Sequence, residues 1–153
     1  MGLVHGQLPD VLTTRTAGAV HPERPSQSAR GVLAVGATAA VATLLVALRD
    51  PHVPGSYGFC PLFALTGLYC PACGALRATH DLAHLDLAAA WASNPLWVAS
   101  VPLLVIGWVV ALVRRLRGAP ARELPVWLGW AALALIVVFG VLRNLPGFAW
   151  LAP

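Results

Sequence analysis

The sequence predicts an all-α integral membrane protein, with transmembrane helices joined by a helical loop that carries a cysteine-rich motif. Three observations lead there. The chain of 153 residues is 58% hydrophobic and only 10% charged, whereas a soluble domain carries about a quarter charged residues. Its apolar residues gather into three long uncharged runs, each near the length at which a helix crosses a bilayer. All three cysteines fall between Cys60 and Cys73, in the polar stretch between the first two runs.

Residues 1–30 are polar and rich in turn formers around His21-Pro22-Glu23-Arg24-Pro25, which reads as a disordered or loosely ordered tail. Residues 31–153 read as a single helical membrane domain. The first span, residues 31–48, has no charge and would reach about 27 Å as a helix. The polar stretch before it is too long for a compact signal peptide, so the helix is expected to be retained. Asn94-Pro95 opens the second span, residues 96–113, because asparagine caps free N–H groups and proline suits a first helical turn. Pro102 is expected to bend it. The third span, residues 126–142, carries Trp127 and Trp130 near one end as interface anchors.

The ten basic residues are all arginine, which with heavy alanine, valine and leucine usage points to a GC-rich bacterial genome. The net charge of +4 does not indicate nucleic acid. Arg114, Arg115, Arg117 and Arg122 directly follow an apolar run, where topology-setting charges and anionic-lipid contacts belong. Arg15, Arg24 and Arg30 precede the first span, while the loop of residues 49–94 sets Arg49 and Arg77 against Asp50, Asp81 and Asp86. The positive-inside rule then places the N-terminus in the cytoplasm and the cysteine loop outside the cytoplasmic membrane of a bacterium. The bilayer is the expected partner, with other membrane proteins or a second copy of the chain. Gly36 to Ala40 offers small residues for such helix contact.

Within the loop, Gly74 to Ala92 reads as helix. Ala78, Leu82, Leu85 and Ala89 follow apolar helical spacing, and Arg77, His80, Asp81 and His84 fall on another side. Such a segment is expected to lie on the membrane surface. Asp86, followed by Leu-Ala-Ala-Ala-Trp, is favoured as an N-cap that splits the stretch in two.

Cys70-Pro71-Ala72-Cys73-Gly74 brings two thiols close enough to share a metal or a disulfide, and Gly74 supplies the left-handed turn a metal knuckle needs. Three chemistries compete for this motif. In the first, Cys60, Cys70 and Cys73 hold Zn2+, with His80 or His84 as fourth ligand and His52 as a further candidate. In the second, Cys70 and Cys73 form a redox pair, their thiols acidified by a helix N-terminus and Arg77, with Cys60 as the third thiol. The third is plain packing of small apolar groups. Arg143, at the end of an apolar span, is expected to snorkel. An ion pair with Asp81 or Asp86 would instead clamp the cysteine loop onto the bundle. No nucleotide-binding glycine loop, serine elbow or His-Glu-x-x-His motif is present, so familiar enzyme classes are disfavoured.

The run from Cys60 through Cys70-Pro71-Ala72-Cys73-Gly74-Ala75-Leu76-Arg77-Ala78 to Asn94-Pro95 resembles a family of small bacterial membrane proteins known as domain of unknown function 2752. Cys60, Cys70, Cys73, Gly74, Arg77, Asp86, Asn94, Pro95 and Arg143-Asn144 occupy places of the family pattern, over roughly residues 55–147. Leu76 stands where threonine is usual, and Leu85 where the turn between the helices usually has glycine. The resemblance implies a multi-pass helical membrane fold and no established activity. The function expected is a metal-binding or accessory interaction module, with a membrane-tethered thiol redox protein or purely structural cysteines as alternatives.

Overall fold

A computed structural model describes residues 25–53, 55–57, 59–120 and 123–152. Among them every regular element is a helix: α1 (Pro25–Leu48), α2 (Pro61–Thr66), α3 (Ala75–Ala83), α4 (Leu87–Ser93), α5 (Pro95–Leu116), α6 (Val126–Leu142) and a closing 3-10 helix (Pro146–Leu151). The expected tail through residue 24, and Arg122 of the basic cluster, lie outside the described residues. Helix α1 begins at Pro25, so the last residues that composition assigned to the tail are helical.

Two of these helices are long and apolar enough to cross a membrane, Ala29–Leu48 within α1 and Pro95–Leu116, and α6 is a shorter apolar helix of 17 residues. Their large side chains face outward: Leu33, Val41, Leu45, Leu104, Ile106, Leu135 and Val138 are all exposed. A water-soluble chain would bury these groups, at about 1.5–3 kcal/mol each. Pro102 lies inside α5, whose helix continues on both sides of it.

Helix α1 packs on α5 and α3. A glycine makes the first contact possible: a Cβ at Gly36 would overlap the Trp108 ring, whose Nε1–H donates to the Val32 carbonyl at 2.9 Å. Gly36, expected to serve association between chains, is thus used within this one. The Trp97 indole likewise donates to Thr79 Oγ1 at 2.8 Å and joins α5 to α3.

The split at Asp86 is present. Its carboxylate accepts from the Ala89 N–H at 2.9 Å and caps α4. Leu85, at the bend, has φ +63°, a left-handed conformation that costs a side-chain-bearing residue about 1 kcal/mol. The bend therefore forms without the usual glycine, at that cost. Ala78 is buried, as its place on the apolar side predicts, but two positions need correction: Asp81, expected on the polar side, is buried, and Leu85, expected on the apolar side, lies past the end of α3 and is 86% exposed. The small alanines Ala78 and Ala90 let α3 and α4 pack closely, and this close approach turns Asp81 inward. Helix α2, sited just after Cys60, was not evident from the pattern because its six residues are too short for periodicity.

Candidate metal centre: three cysteines on a clamped loop

The cysteine loop takes its shape from two glycines. Gly67 ends α2 at φ +71°, its N–H returning to the Phe63 carbonyl, and Gly74 opens α3 at φ +81°. Both conformations suit glycine, which has no Cβ to clash. Between them Cys73 N–H donates to the Cys70 carbonyl at 3.1 Å, closing the knuckle.

Three polar side chains from distant helices hold this loop by its backbone. Asn94 is 1% exposed; its carbonyl oxygen accepts from the Trp97 N–H at 3.0 Å, capping α5. Its amide donates to the carbonyls of Pro71 and Cys73, each at 3.0 Å. Asn144 grips both polar atoms of Tyr69, accepting from its N–H at 2.8 Å and donating to its carbonyl at 2.9 Å. Arg143, 2% exposed, donates through Nη1 to the carbonyls of Cys70 at 2.9 Å, Cys73 at 3.1 Å and Pro71 at 3.3 Å. Its guanidinium lies 5.0 Å from the centre of the Phe139 ring and 6.0 Å from that of Tyr69. Below the loop, Gly140 of α6 leaves room for the Pro71 ring, which a Cβ there would meet at 3.3 Å.

The arginine therefore neither snorkels nor pairs with Asp81 or Asp86. It does clamp the loop, through carbonyls. Loop carbonyls that point into the bundle need donors, and Nη1 supplies them, while Nε and Nη2 are buried without a partner among the described residues.

The sulfurs converge. Cys60 Sγ is 3.6 Å from Cys70 Sγ, and Cys70 Sγ is 3.1 Å from Cys73 Sγ; all three lie within 4.8 Å of one another. Tetrahedral bonds of about 2.3 Å to zinc would set sulfurs roughly 3.8 Å apart. The trio is thus near the spacing one ion requires. It opens on a cavity of about 590 Å³ that Tyr57, Phe63, His52 and Arg77 also line.

The histidines expected to complete the set stand elsewhere. His80 Nδ1 lies 2.9 Å from the Val46 carbonyl, and His84 Nδ1 lies 2.9 Å from the His80 carbonyl. His80 groups with Asp50 and His52, while the cysteine group holds sulfurs alone. Helix α3 starts at Ala75, and along it His80 reaches the end of α1 while His84 turns back onto the His80 carbonyl.

The thiols differ from one another, and not as the motif suggested. Cys60 is lowered to about 7, first by the Phe63 backbone N–H at the opening of α2 and then by Cys73, although Cys60 makes no formal side-chain cap. Cys73 is pushed up to about 12, first by burial and then by its hydrogen bonds to Cys70 and Cys60. The acidified thiol is therefore Cys60, not Cys73 of the Cys-x-x-Cys pair. In metal-free reduced protein, alkylation by iodoacetamide, read by peptide mass spectrometry, should modify Cys60 first. Its rate should rise as pH climbs through about 7, since only the thiolate reacts. Equal rates at Cys60 and Cys73 at neutral pH would contradict this.

Apolar helices able to cross a membrane, capped by a clamped three-cysteine loop, define the class of protein. Residues 60–108 match the model of the family described as Protein of unknown function (DUF2752), and the resemblance carried by the cysteine motif is thereby established over that segment. No curated protein and no solved structure matches the chain. The matched segment stops before Arg143 and Asn144, which the fold nonetheless brings onto the motif.

Proposed function

We propose that this protein is a multi-pass membrane protein whose cysteine loop binds one thiophilic metal ion, Zn2+ by preference, as an accessory or interaction module. The observation that carries the reading is the convergence of the three sulfurs within 4.8 Å on a backbone held by Asn94, Arg143 and Asn144. A rigid loop that crowds three thiols is hard to account for by packing alone. Burial, and then its hydrogen bonds to Cys70 and Cys60, oppose ionisation of Cys73, and a divalent cation among the sulfurs would offset that opposition. With three protein ligands, a fourth position stays open to water or to a partner's donor.

Thiol–disulfide exchange is the second reading, favoured by the 3.1 Å approach of Cys70 and Cys73. Against it, attack by the Cys60 thiolate on a Cys70–Cys73 disulfide would release Cys73, whose thiol at about 12 makes a poor leaving group. Elemental analysis of detergent-purified protein separates the two. About one zinc per chain is expected, falling at least tenfold in Cys73→Ser. Metal-free protein with a Cys70–Cys73 disulfide that titrates near cellular potentials would sink the metal reading in favour of exchange. Metal-free protein with three unreactive free thiols would leave them structural.

The arrangement in the bilayer belongs to the same proposal: α6 as third span, the N-terminus and the basic end of α5 (Arg114, Arg115 and Arg117) in the cytoplasm of a bacterium, and the cysteine loop outside, against the membrane surface. Helix α6 is about 25 Å long at 1.5 Å per residue, slightly short of a hydrocarbon core of about 30 Å; Trp127 and Trp130 near one end and Trp150 beyond the other suit anchoring at the two interfaces. On intact cells stripped of metal, a membrane-impermeant maleimide should label Cys60. Labelling only after permeabilisation would reverse the orientation.

A further inference from the structure

Away from the sulfurs, the loop and α3 assemble a second donor set. A carboxylate oxygen of Asp50 and one ring nitrogen each of His52 and His80 lie within 4.8 Å of one another. Asp50 Oδ1 is 2.9 Å from His52 Nδ1 and 3.9 Å from His80 Nε2. We infer that Asp50, His52 and His80 form a second metal site, independent of the cysteines, for a borderline divalent cation such as Zn2+, Co2+ or Ni2+.

Ligand type and spacing agree with such an ion. Imidazole and carboxylate suit these cations, and bonds of about 2.0–2.2 Å place donors roughly 3–3.5 Å apart. The 3.9 Å gap must close, and an ion would replace the 2.9 Å hydrogen bond between His52 and Asp50.

The ring of His80 is already oriented. Its Nδ1 sits 2.9 Å from the Val46 carbonyl, which can only accept, so Nδ1 is the donor nitrogen and Nε2 is the one that faces Asp50, where an ion would bind. A metal-bound histidine is oriented in this way by a carbonyl on its other nitrogen. Val46 lies in the last turn of α1, where the helix dipole presents its negative end and favours a cation.

Asp81 adds to the field. Its side chain is 8% exposed and its Oδ1 is 3.6 Å from His52 Nε2, while Ser93 Oγ donates to Oδ2 at 3.3 Å. A buried carboxylate needs positive charge near it, and the contacts described supply only a neutral hydroxyl and a titratable ring. A cation held between Asp50, His52 and His80 would provide that charge. His52 also lines the cavity onto which the cysteines open, so both sites would load from one side of the protein.

Co2+ titration of the full chain in detergent tests this, because thiolate ligands give intense near-ultraviolet charge-transfer bands and imidazole or carboxylate ligands do not. Two equivalents are expected, one with those bands and one without. His80→Gln should weaken the band-free equivalent at least tenfold and leave the thiolate bands unchanged. Since His80 also ties α3 to α1, His52→Gln is the companion variant, with the same expected loss and no effect on that link. Band-free binding that survives both variants, or no band-free equivalent in the parent chain, overturns the site. Failure of the cysteine site alone would appear differently, as missing thiolate bands with a histidine-dependent equivalent still present.

Discussion

Replacing Arg143 by alanine should destabilise the folded protein by about 3 kcal/mol and loosen the cysteine loop. The figure follows from what the side chain touches. Each of its three carbonyl partners keeps another donor: Asn94 for Pro71 and Cys73, and the Cys73 N–H for Cys70. The loss is therefore not one of orphaned acceptors. It is a charge-assisted hydrogen-bond set, worth roughly 1.5–3 kcal/mol, plus the space left between the Phe139 and Tyr69 rings. Against this, Nε and Nη2 are buried without a partner among the described residues, so the guanidinium carries a desolvation cost of its own that alanine removes. The balance is still a loss, because truncation also leaves the loop held by Asn94 and Asn144 without the charged group between them. Arg143→Met should recover the packing share only. Thermal unfolding in detergent measures the first effect and the alkylation rate of the cysteines the second. An unchanged midpoint with unchanged thiol reactivity would show that the clamp is dispensable.

Enlarging Gly36 should be comparably damaging, by a different route. A single methyl group there already overlaps the Trp108 ring, and that ring is tied to the Val32 carbonyl. In Gly36→Leu the indole must leave its place, breaking its hydrogen bond and parting α1 from α5. Overpacking of this kind costs about 1–3 kcal/mol, and the lost bond adds about 1 kcal/mol. The expected signs are a lower unfolding midpoint and altered tryptophan emission. Combining Gly36→Leu with Trp108→Ala should restore much of the stability, since the two side chains compete for one space. A double variant no more stable than Gly36→Leu would locate the damage elsewhere.

Most elements were legible along the chain. The apolar runs marked α1, α5 and α6 because a helix that is apolar all round has no polar side to disguise it. Asp86 and Asn94-Pro95 marked the starts of α4 and α5 because capping is local chemistry, read from a few neighbouring residues. Gly74 announced its positive φ for the same reason. Leu85 shows the opposite case: the Asp86 cap marked the bend, but leucine disfavours the left-handed φ of +63° it adopts there, so the residue itself did not report it.

The candidate site divides along the same line. That three thiols would gather was determined by sequence alone, since Cys70 and Cys73 are neighbours in a tight knuckle and Cys60 is a short helix away. Which thiol ionises first, where the histidines go and what Arg143 does were decided only in three dimensions. Burial raises Cys73, the opening of α2 acidifies Cys60, and the end of α1 claims His80. Arg143 and Asn144 lie some seventy residues from the carbonyls they hold. Hydrogen bonds to a backbone carry no trace in the residues that receive them, because every residue offers the same carbonyl. The sequence thus determined which groups the protein possesses for its chemistry, and the tertiary structure decided which of them meet.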